Sequence, residues 1–344
     1  MARLSIRELT QQSSESALTA QFSAQLAGRK EKETKSGKPY LEILLADSTG
    51  EFTLKAWADH KQFGDLQNLP EGSGLAIDGS FTQNQWGIDA SPWSFSLLDD
   101  RGMEELLAGD PSLRERQKAD YADIERLVGS LSDPRLRALC LHFLKVFGDR
   151  FRRTAAARRN HHARRGGLVE HVAQMMRAAA ALAEVYPDLN RDLMIAGVLF
   201  HDCGKLWENT YPEKGFTQGY HLSGEMLGHI PLGIELTNKL WRDLQESPEY
   251  EEWKDLTPSS DLVRLHLLHL IASHHGTHEF GSPTLPRTPE AFALHHIDNL
   301  DAKYEMMKDA YAKANQLGNG IFERQFPLPS NLVEPLPPFS LGPH

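Results

Sequence analysis

The chain is poor in cysteine, with only Cys140 and Cys203 among its 344 residues. Two separated cysteines make neither a disulfide framework nor a thiolate zinc site, and they suit a reducing cytoplasm. Long apolar runs are missing as well. No stretch approaches the ~18 uninterrupted apolar residues of a membrane span, and the opening MARLSIRELTQQSSES lacks the apolar centre of a signal peptide. There is no excess of positive charge either. The net charge is −10, so any contact with nucleic acid must come from local patches. No internal repeat is visible. What the chain does have is 40% hydrophobic residues, enough to bury more than one core, and 16 histidines.

The periodicity changes once along the chain. Leu18–Leu26, Tyr40–Leu45, Glu51–Ala58, Gly74–Phe81 and Trp86–Phe95 alternate in the manner of strands. Turn signals (SGK, DSTG, PEGSG, TQNQ) separate them. Short strands in such close succession predict a small barrel of the OB type over 15–100. From about 102 the spacing becomes helical, in Glu104–Leu107, Tyr121–Leu131, Arg135–Phe147, Leu168–Val185 and Arg191–Phe200, then 222–242, 260–273, 288–310 and 309–316. This divides the chain into a barrel (15–100), a helical connector (101–150), an all-α domain (151–316) and a tail (317–344). The stretch 327–344 carries six prolines and reads as an extended arm. The expected fold class is α+β multidomain.

One pair stands out within VLFHDCGKLWE (198–208). His201 and Asp202 follow the apolar run 194–200, where an unpaired charge would cost several kcal/mol to bury. Other ligand-type residues sit near helix ends: His171 in GGLVEHV, His229 in LGHI, His274 and His275 in ASHHG, and Asp298 in HHIDNLDAK. Any one of these histidines alone reads as a hydrogen-bonded core residue. Together they read as a metal site. Imidazoles and carboxylates without thiolates suit Mn²⁺, Mg²⁺, Fe²⁺, Co²⁺ or Zn²⁺. A carboxylate bridging two cations would compensate the buried charge.

The series H…HD…H…HH…D resembles the HD-domain metal-dependent phosphohydrolases. The wording of NHHARRGGLVEHV (160–172), AGVLFHDCGKLWE (196–208), GEMLGHI (224–230), SHHGTHEFGSPTLPRTPEAFALHHIDNLDAK (273–303) and GKPYLEILLADSTGEFTLKAW (37–57) resembles the YhaM-type 3′→5′ exoribonucleases. Those join an OB-type nucleic-acid-binding domain to an HD domain, and the resemblance covers roughly 15–315. It implies that His171, His201, Asp202 and Asp298 hold one cation. Asp202 would bridge to a second held by His229 and His274 with the help of His275. Mn²⁺ is the first choice of metal. Asp202 and Lys205 would be catalytic, Lys205 as a positive clamp on the phosphate. Two departures are that Cys203 fills an often aliphatic position and that Ala163-Arg164-Arg165 is unusually basic.

The stretch 149–167 carries seven arginines (150, 152, 153, 158, 159, 164, 165) in an acidic protein. An arbitrary charge run is usually a solvated face. Because this one leads into His171, Arg164 and Arg165 are expected to form a phosphate-guiding rim, with His162 as a substrate contact. In the barrel, Lys38, Tyr40 and Trp86 are the expected contacts for single-stranded bases, while most other aromatics should fill the core.

The leading expectation is therefore a cytoplasmic enzyme that hydrolyses single-stranded RNA, and also single-stranded DNA, to 5′-mononucleotides from the 3′ end. A phosphohydrolase of nucleotides or cyclic dinucleotides is the alternative with the same chemistry. A non-catalytic RNA-binding protein with a structural metal is the alternative without it. No membrane contact is expected, and assembly of identical chains is left open.

Overall fold

Alternation of apolar and polar residues places one face of each early strand inside a barrel. The structure is a computed structural model and describes residues 2–84, 87–158, 161–248 and 250–337. A short β1 (Ala2–Arg3) and α1 (Ile6–Gln12) precede β2 (Leu18–Glu33), β3 (Pro39–Ala46) and β4 (Glu51–Trp57). Helix α2 (Phe63–Asn68) then leads to β5 (Gly74–Asn84) and β6 (Gly87–Leu97). The sheet order is β4-β3-β2-β5-β6, with β1 alongside β2. Strand β2 does double duty: 18–25 pair with β5 and 25–33 with β3, on either side of a bulge between Leu26 and Gly28. Such a bulge bends a long strand around a barrel corner.

The outer strands β4 and β6 approach without pairing. Gln62, just after β4, bridges the gap by exchanging two hydrogen bonds with the Phe95 backbone. Five antiparallel strands in this order, with a helix between the third and fourth, make the OB topology. Ala20, Phe22, Ala24 and Leu26 from β2 meet Leu41, Ile43 and Leu45 from β3 in its core. The expected strands are all present: β2, β3, β5 and β6 run beyond their expected C-terminal ends, while β4 stops at Trp57, one residue short.

The helices follow as α3 (Asp100–Ala108), α4 (Pro111–Gly129), α5 (Pro134–Phe151), α6 (Gly167–Val185) and α7 (Arg191–Phe200). After a 3-10 turn (Cys203–Trp207) come α8 (Leu222–Leu227), α9 (His229–Gln245), α10 (Tyr250–Trp253), α11 (Ser260–Ser273) and α12 (Pro289–Lys313). Asp110, Asp133 and Thr288 cap helices whose first residue is proline, a pairing suited to a helix start. One apolar core runs from Tyr121 to Ile297. Helices α4 and α5 contribute Ile124, Leu139 and Phe143 to it, so the segment expected as a connector is largely part of the bundle. The barrel docks through Ala46, which packs with Leu106 of α3 and Phe216. Gln25 also holds the backbone of Lys214 and Phe216.

One expectation for the C-terminal end needs correction. The helical segments expected over 288–310 and 309–316 are the single helix α12, which continues to Lys313, and β7 (Gln316–Gly318) follows it. With β8 (Ile321–Phe322) and β9 (Leu332–Val333) it forms a small antiparallel sheet. Residues 327–337 are not a free arm, because Leu328 and Leu332 are buried with Ala310 of α12, and 338–344 lie outside the described residues. Tyr311 also donates to the Val333 carbonyl. Apolar residues spaced between prolines still bury surface, and proline excludes helix rather than packing.

Candidate metal centre

Helix α7 is buried along its whole second half, so its C-terminal end delivers His201 and Asp202 to the middle of the bundle. The chain then turns tightly, and Gly204 makes that turn possible. A Cβ there would lie 1.9 Å from the His229 carbonyl oxygen, at the first residue of α9. The glycine of HDCGK thus lets the 3-10 turn press against the helix that carries His229. His171 comes from α6, His274 and His275 from the end of α11, and Asp298 from α12.

The two oxygens of Asp202 face different histidine pairs. Oδ1 lies 3.5 Å from His229 Nε2 and 3.6 Å from His274 Nε2. Oδ2 lies 3.3 Å from His201 Nε2 and 3.8 Å from His171 Nε2. Asp298 Oδ1 is 3.3 Å from His171 Nε2. Every histidine of the set has its other nitrogen occupied. His201 Nδ1 donates to Val198 O (2.7 Å), His274 Nδ1 to Ile271 O (2.8 Å) and His275 Nδ1 to Phe280 O (2.6 Å). A carbonyl only accepts, so these Nδ1 atoms carry a proton and Nε2 is the nitrogen turned toward the centre. His171 Nδ1 meets Asp301 at 2.7 Å and His229 Nδ1 meets Glu208 at 2.9 Å.

Asp202 Oδ1, His229 Nε2 and His274 Nε2 are buried and have no hydrogen-bond partner. Three converging lone-pair atoms, buried and unsatisfied, are what a cation site presents when described by protein atoms alone. The donor set is nitrogen and oxygen only. Cys203 points its thiol at Gly233 O, 3.6 Å away, and burial pushes that thiol up to about 12, so it packs as a small hydrophobe. The residues fit divalent cations.

Charge at the centre follows from burial and neighbours. Burial would raise the Asp202 carboxyl, but Lys205 and His201 hold it well below the usual range. Burial, with His201 and His275 beside it, keeps the His274 imidazole neutral by lowering it well below the ordinary value. Burial lowers His171 too, but Asp298 and Asp301 outweigh that and raise it to about 10. His161, whose ring centroid lies 6.0 Å from that of His171, is lowered to about 4 by burial and by Lys205.

Several expected contacts lie elsewhere. Lys205 sits on a 3-10 turn rather than on an α-helical turn, and its Nζ is 2.7 Å from Asp202 Oδ2. Its charge is therefore engaged with Asp202 and largely buried, not held out as an open clamp. His162 is fully buried, with Nε2 at 3.1 Å from Asp301, rather than on an open surface. Arg164 is buried in an ion-pair network with Glu170 and Glu305. Arg165 donates to the carbonyls of Pro212, Glu213 and Gly215. Arg150, Arg153 and Arg158 likewise donate to Leu206, Tyr211 and Glu208 carbonyls.

The expected phosphate rim is thus mostly an internal scaffold. The segment from 208 to 221 has no regular structure apart from one bridge, and its carbonyls need donors that arginine supplies in number. Arg159 and Trp86 lie outside the described residues.

In the barrel, Lys38 is exposed in the β2–β3 hairpin. Tyr40 is half-buried and faces Trp57 across the β3–β4 pair, ring centroids 5.1 Å apart. Trp57 was expected in the core, yet it is 41% exposed, with Lys55 Nζ 6.0 Å from its ring. Sequence reading also missed Asp301 and Glu208. Asp301 had a signal, since it follows Asp298 by one helical step and shares its face. Glu208 had none beyond lying near the HD pair.

Residues 168–303 match the HD domain. The chain is 34% identical over 281 residues to the 3′-5′ exoribonuclease YhaM of Geobacillus sp. (strain WCH70), covering 81% of this chain and 80% of that protein. It is 31% identical over 278 residues to the 3′-5′ exoribonuclease YhaM of Bacillus subtilis (strain 168), covering 80% and 82%. The second OB-fold domain of replication protein A from Methanococcus maripaludis is 19% identical over 28% of this chain and 96% of that one, with a TM-score of 0.22. At that score the barrel's assignment rests on its strand order. Among the described residues no helix is long and apolar enough to cross a membrane. The similarity spans about four fifths of both partners at more than 30% identity, and this chain belongs to the YhaM family of 3′-5′ exoribonucleases.

Proposed function

We propose that this protein hydrolyses single-stranded RNA from its 3′ end, releasing 5′-mononucleotides, with single-stranded DNA as a further substrate. The observation that carries this is Asp202, whose oxygens face His229 and His274 on one side and His201 and His171 on the other. That arrangement supports two cation positions bridged by one carboxylate, with His275 beside the first and Asp298 beside the second. Mn²⁺ is the first choice; Mg²⁺, Co²⁺, Fe²⁺ or Zn²⁺ suit the same donors. Bound there, divalent cations would neutralise and orient the scissile phosphate and make a nearby water more acidic.

The protein's own part is positioning. Asp301 and Glu208 fix His171 and His229 so that their Nε2 atoms face the centre. Lys205 keeps a positive charge beside Asp202, where an anionic phosphate must approach. The helices of 151–316 would cut, and the barrel of 15–100 would hold the strand. Tyr40 and Trp57 offer an aromatic surface beside Lys38 and Lys55, the pairing of ring and cation that single strands use. A cytoplasmic location belongs to the same proposal, and so does self-association, which light scattering after gel filtration would read.

The test is product analysis of a 5′-labelled RNA incubated with MnCl₂. Progressive shortening with nucleoside 5′-monophosphates as product supports the proposal. Internal cuts, or hydrolysis confined to free nucleotides or cyclic dinucleotides, would refute it.

A further inference from the structure

Tyr220 is 78% exposed, although one face of its ring is covered. The Arg158 guanidinium lies over that face, 4.2 Å from the ring centroid. Arg158 is itself fixed. Its Nη2 donates to Glu208 O (2.8 Å) and Gly219 O (3.3 Å), and Glu225 pairs with it at 3.4 Å. The ring is therefore supported from below and open above, an aromatic surface that spends little entropy on being ordered.

Tyr220 and Arg158 also line a cleft of about 1850 Å³ between the barrel and the helical domain. On the helical wall of this cleft Arg116 and Lys308 are paired with Glu170 and Glu305, while Asp47 and Glu51 bring negative charge to the barrel wall. Charge alone would hold an anionic strand poorly there, and stacking is the interaction that walls of mixed charge do not oppose. The cleft is tied to the metal centre by one residue. Glu208 holds Arg158 through its carbonyl and His229 Nδ1 through its carboxylate, at 2.9 Å.

We infer that Tyr220, backed by Arg158, is a stacking platform for a nucleobase of the RNA strand as it passes from the barrel to the metal centre. This rests on the exoribonuclease reading and assigns that reading a base-binding subsite. Every base presents a π-face, so the platform accepts any sequence. It also favours single strands, because a paired base has its faces taken.

The test measures binding without turnover. A 5′-fluorescein-labelled oligoadenylate is titrated in EDTA with the full chain as wild type, Tyr220→Ala and Tyr220→Phe, and melting curves check the folds. Tyr220→Ala should bind about tenfold more weakly, and Tyr220→Phe within about twofold of wild type. A single abasic nucleotide moved stepwise from the 3′ end should weaken wild-type binding at one position and leave Tyr220→Ala unaffected there. Equal binding by wild type and Tyr220→Ala, or identical abasic profiles, would overturn the platform. Shortening of the same oligonucleotide by the wild type with MnCl₂ reads the parent activity separately. Its absence would sink the nuclease reading even where Tyr220 proves to bind a base.

Discussion

Asp301 meets the Nδ1 of His171 at 2.7 Å, and this contact sets which nitrogen of His171 faces Asp202. Glu208 does the same for His229 at 2.9 Å. Each proposed cation position thus has one histidine backed by a carboxylate and another backed by a carbonyl.

If these carboxylates orient their histidines and strengthen them as donors, removing either should weaken metal binding without unfolding the protein. Asp301→Asn and Glu208→Gln are each expected to lower Mn²⁺ affinity by about 10–100-fold. Calorimetric titration measures this directly. Unchanged affinity in both variants would show that the carbonyl-backed histidines suffice.

Arg164 gives a prediction about stability rather than substrate. It pairs with Glu170 and Glu305 in a buried network, so Arg164→Gln should destabilise the protein by about 3–5 kcal/mol at neutral pH. Burial pushes the Glu170 carboxyl up, but His162 and Arg164 beside it hold it below the usual range. A carboxyl with a depressed folded-state pKa stabilises fully above its unfolded value, about 4.3, and loses that contribution as pH falls through the folded value. The melting-temperature gap between wild type and variant should therefore be widest near neutral pH and narrow below about pH 4. A gap that widened in acid would contradict this role.

Gly204 makes a steric prediction. A methyl group at this position would fall on the His229 carbonyl, so Gly204→Ala must displace either the 3-10 turn or the start of α9. The expected outcome is a lower melting temperature, by an overpacking cost of about 1–3 kcal/mol, together with weaker Mn²⁺ binding. A variant that binds the metal as wild type does would show that this contact yields at no cost.

On the barrel, Trp57→Ala should weaken binding of a single-stranded oligonucleotide by about tenfold, with affinity falling further as salt is raised. Fluorescence anisotropy reads both effects. Equal affinity would remove the Tyr40–Trp57 surface from the strand's path.

Much of this was legible from the residues. Alternation in β2 and β3 announced the barrel, because the side-chain period of a strand survives as a pattern in the chain. His201 and Asp202 were conspicuous because a charge after an apolar run needs compensation. The arginines of 149–167 misled for a physical reason. Their charge is visible in sequence, but the acceptors of Arg150, Arg153, Arg158 and Arg165 are backbone carbonyls between 206 and 219, which no side-chain pattern reveals. His162 misled similarly, since its buried partner Asp301 lies far away in sequence. Trp57 was hidden by the assumption that barrel aromatics fill the core, and only the cross-strand register shows it beside Tyr40.

The central claim is that Asp202 joins two cation positions where the RNA 3′ end is cut. The most direct measurement compares wild type with Asp202→Asn on a 5′-labelled RNA in MnCl₂, with strand binding measured in EDTA. The wild type should shorten the RNA stepwise from its 3′ end, while Asp202→Asn binds it with comparable affinity, keeps its fold and releases no mononucleotide. Stepwise shortening by Asp202→Asn at the wild-type rate would contradict the account.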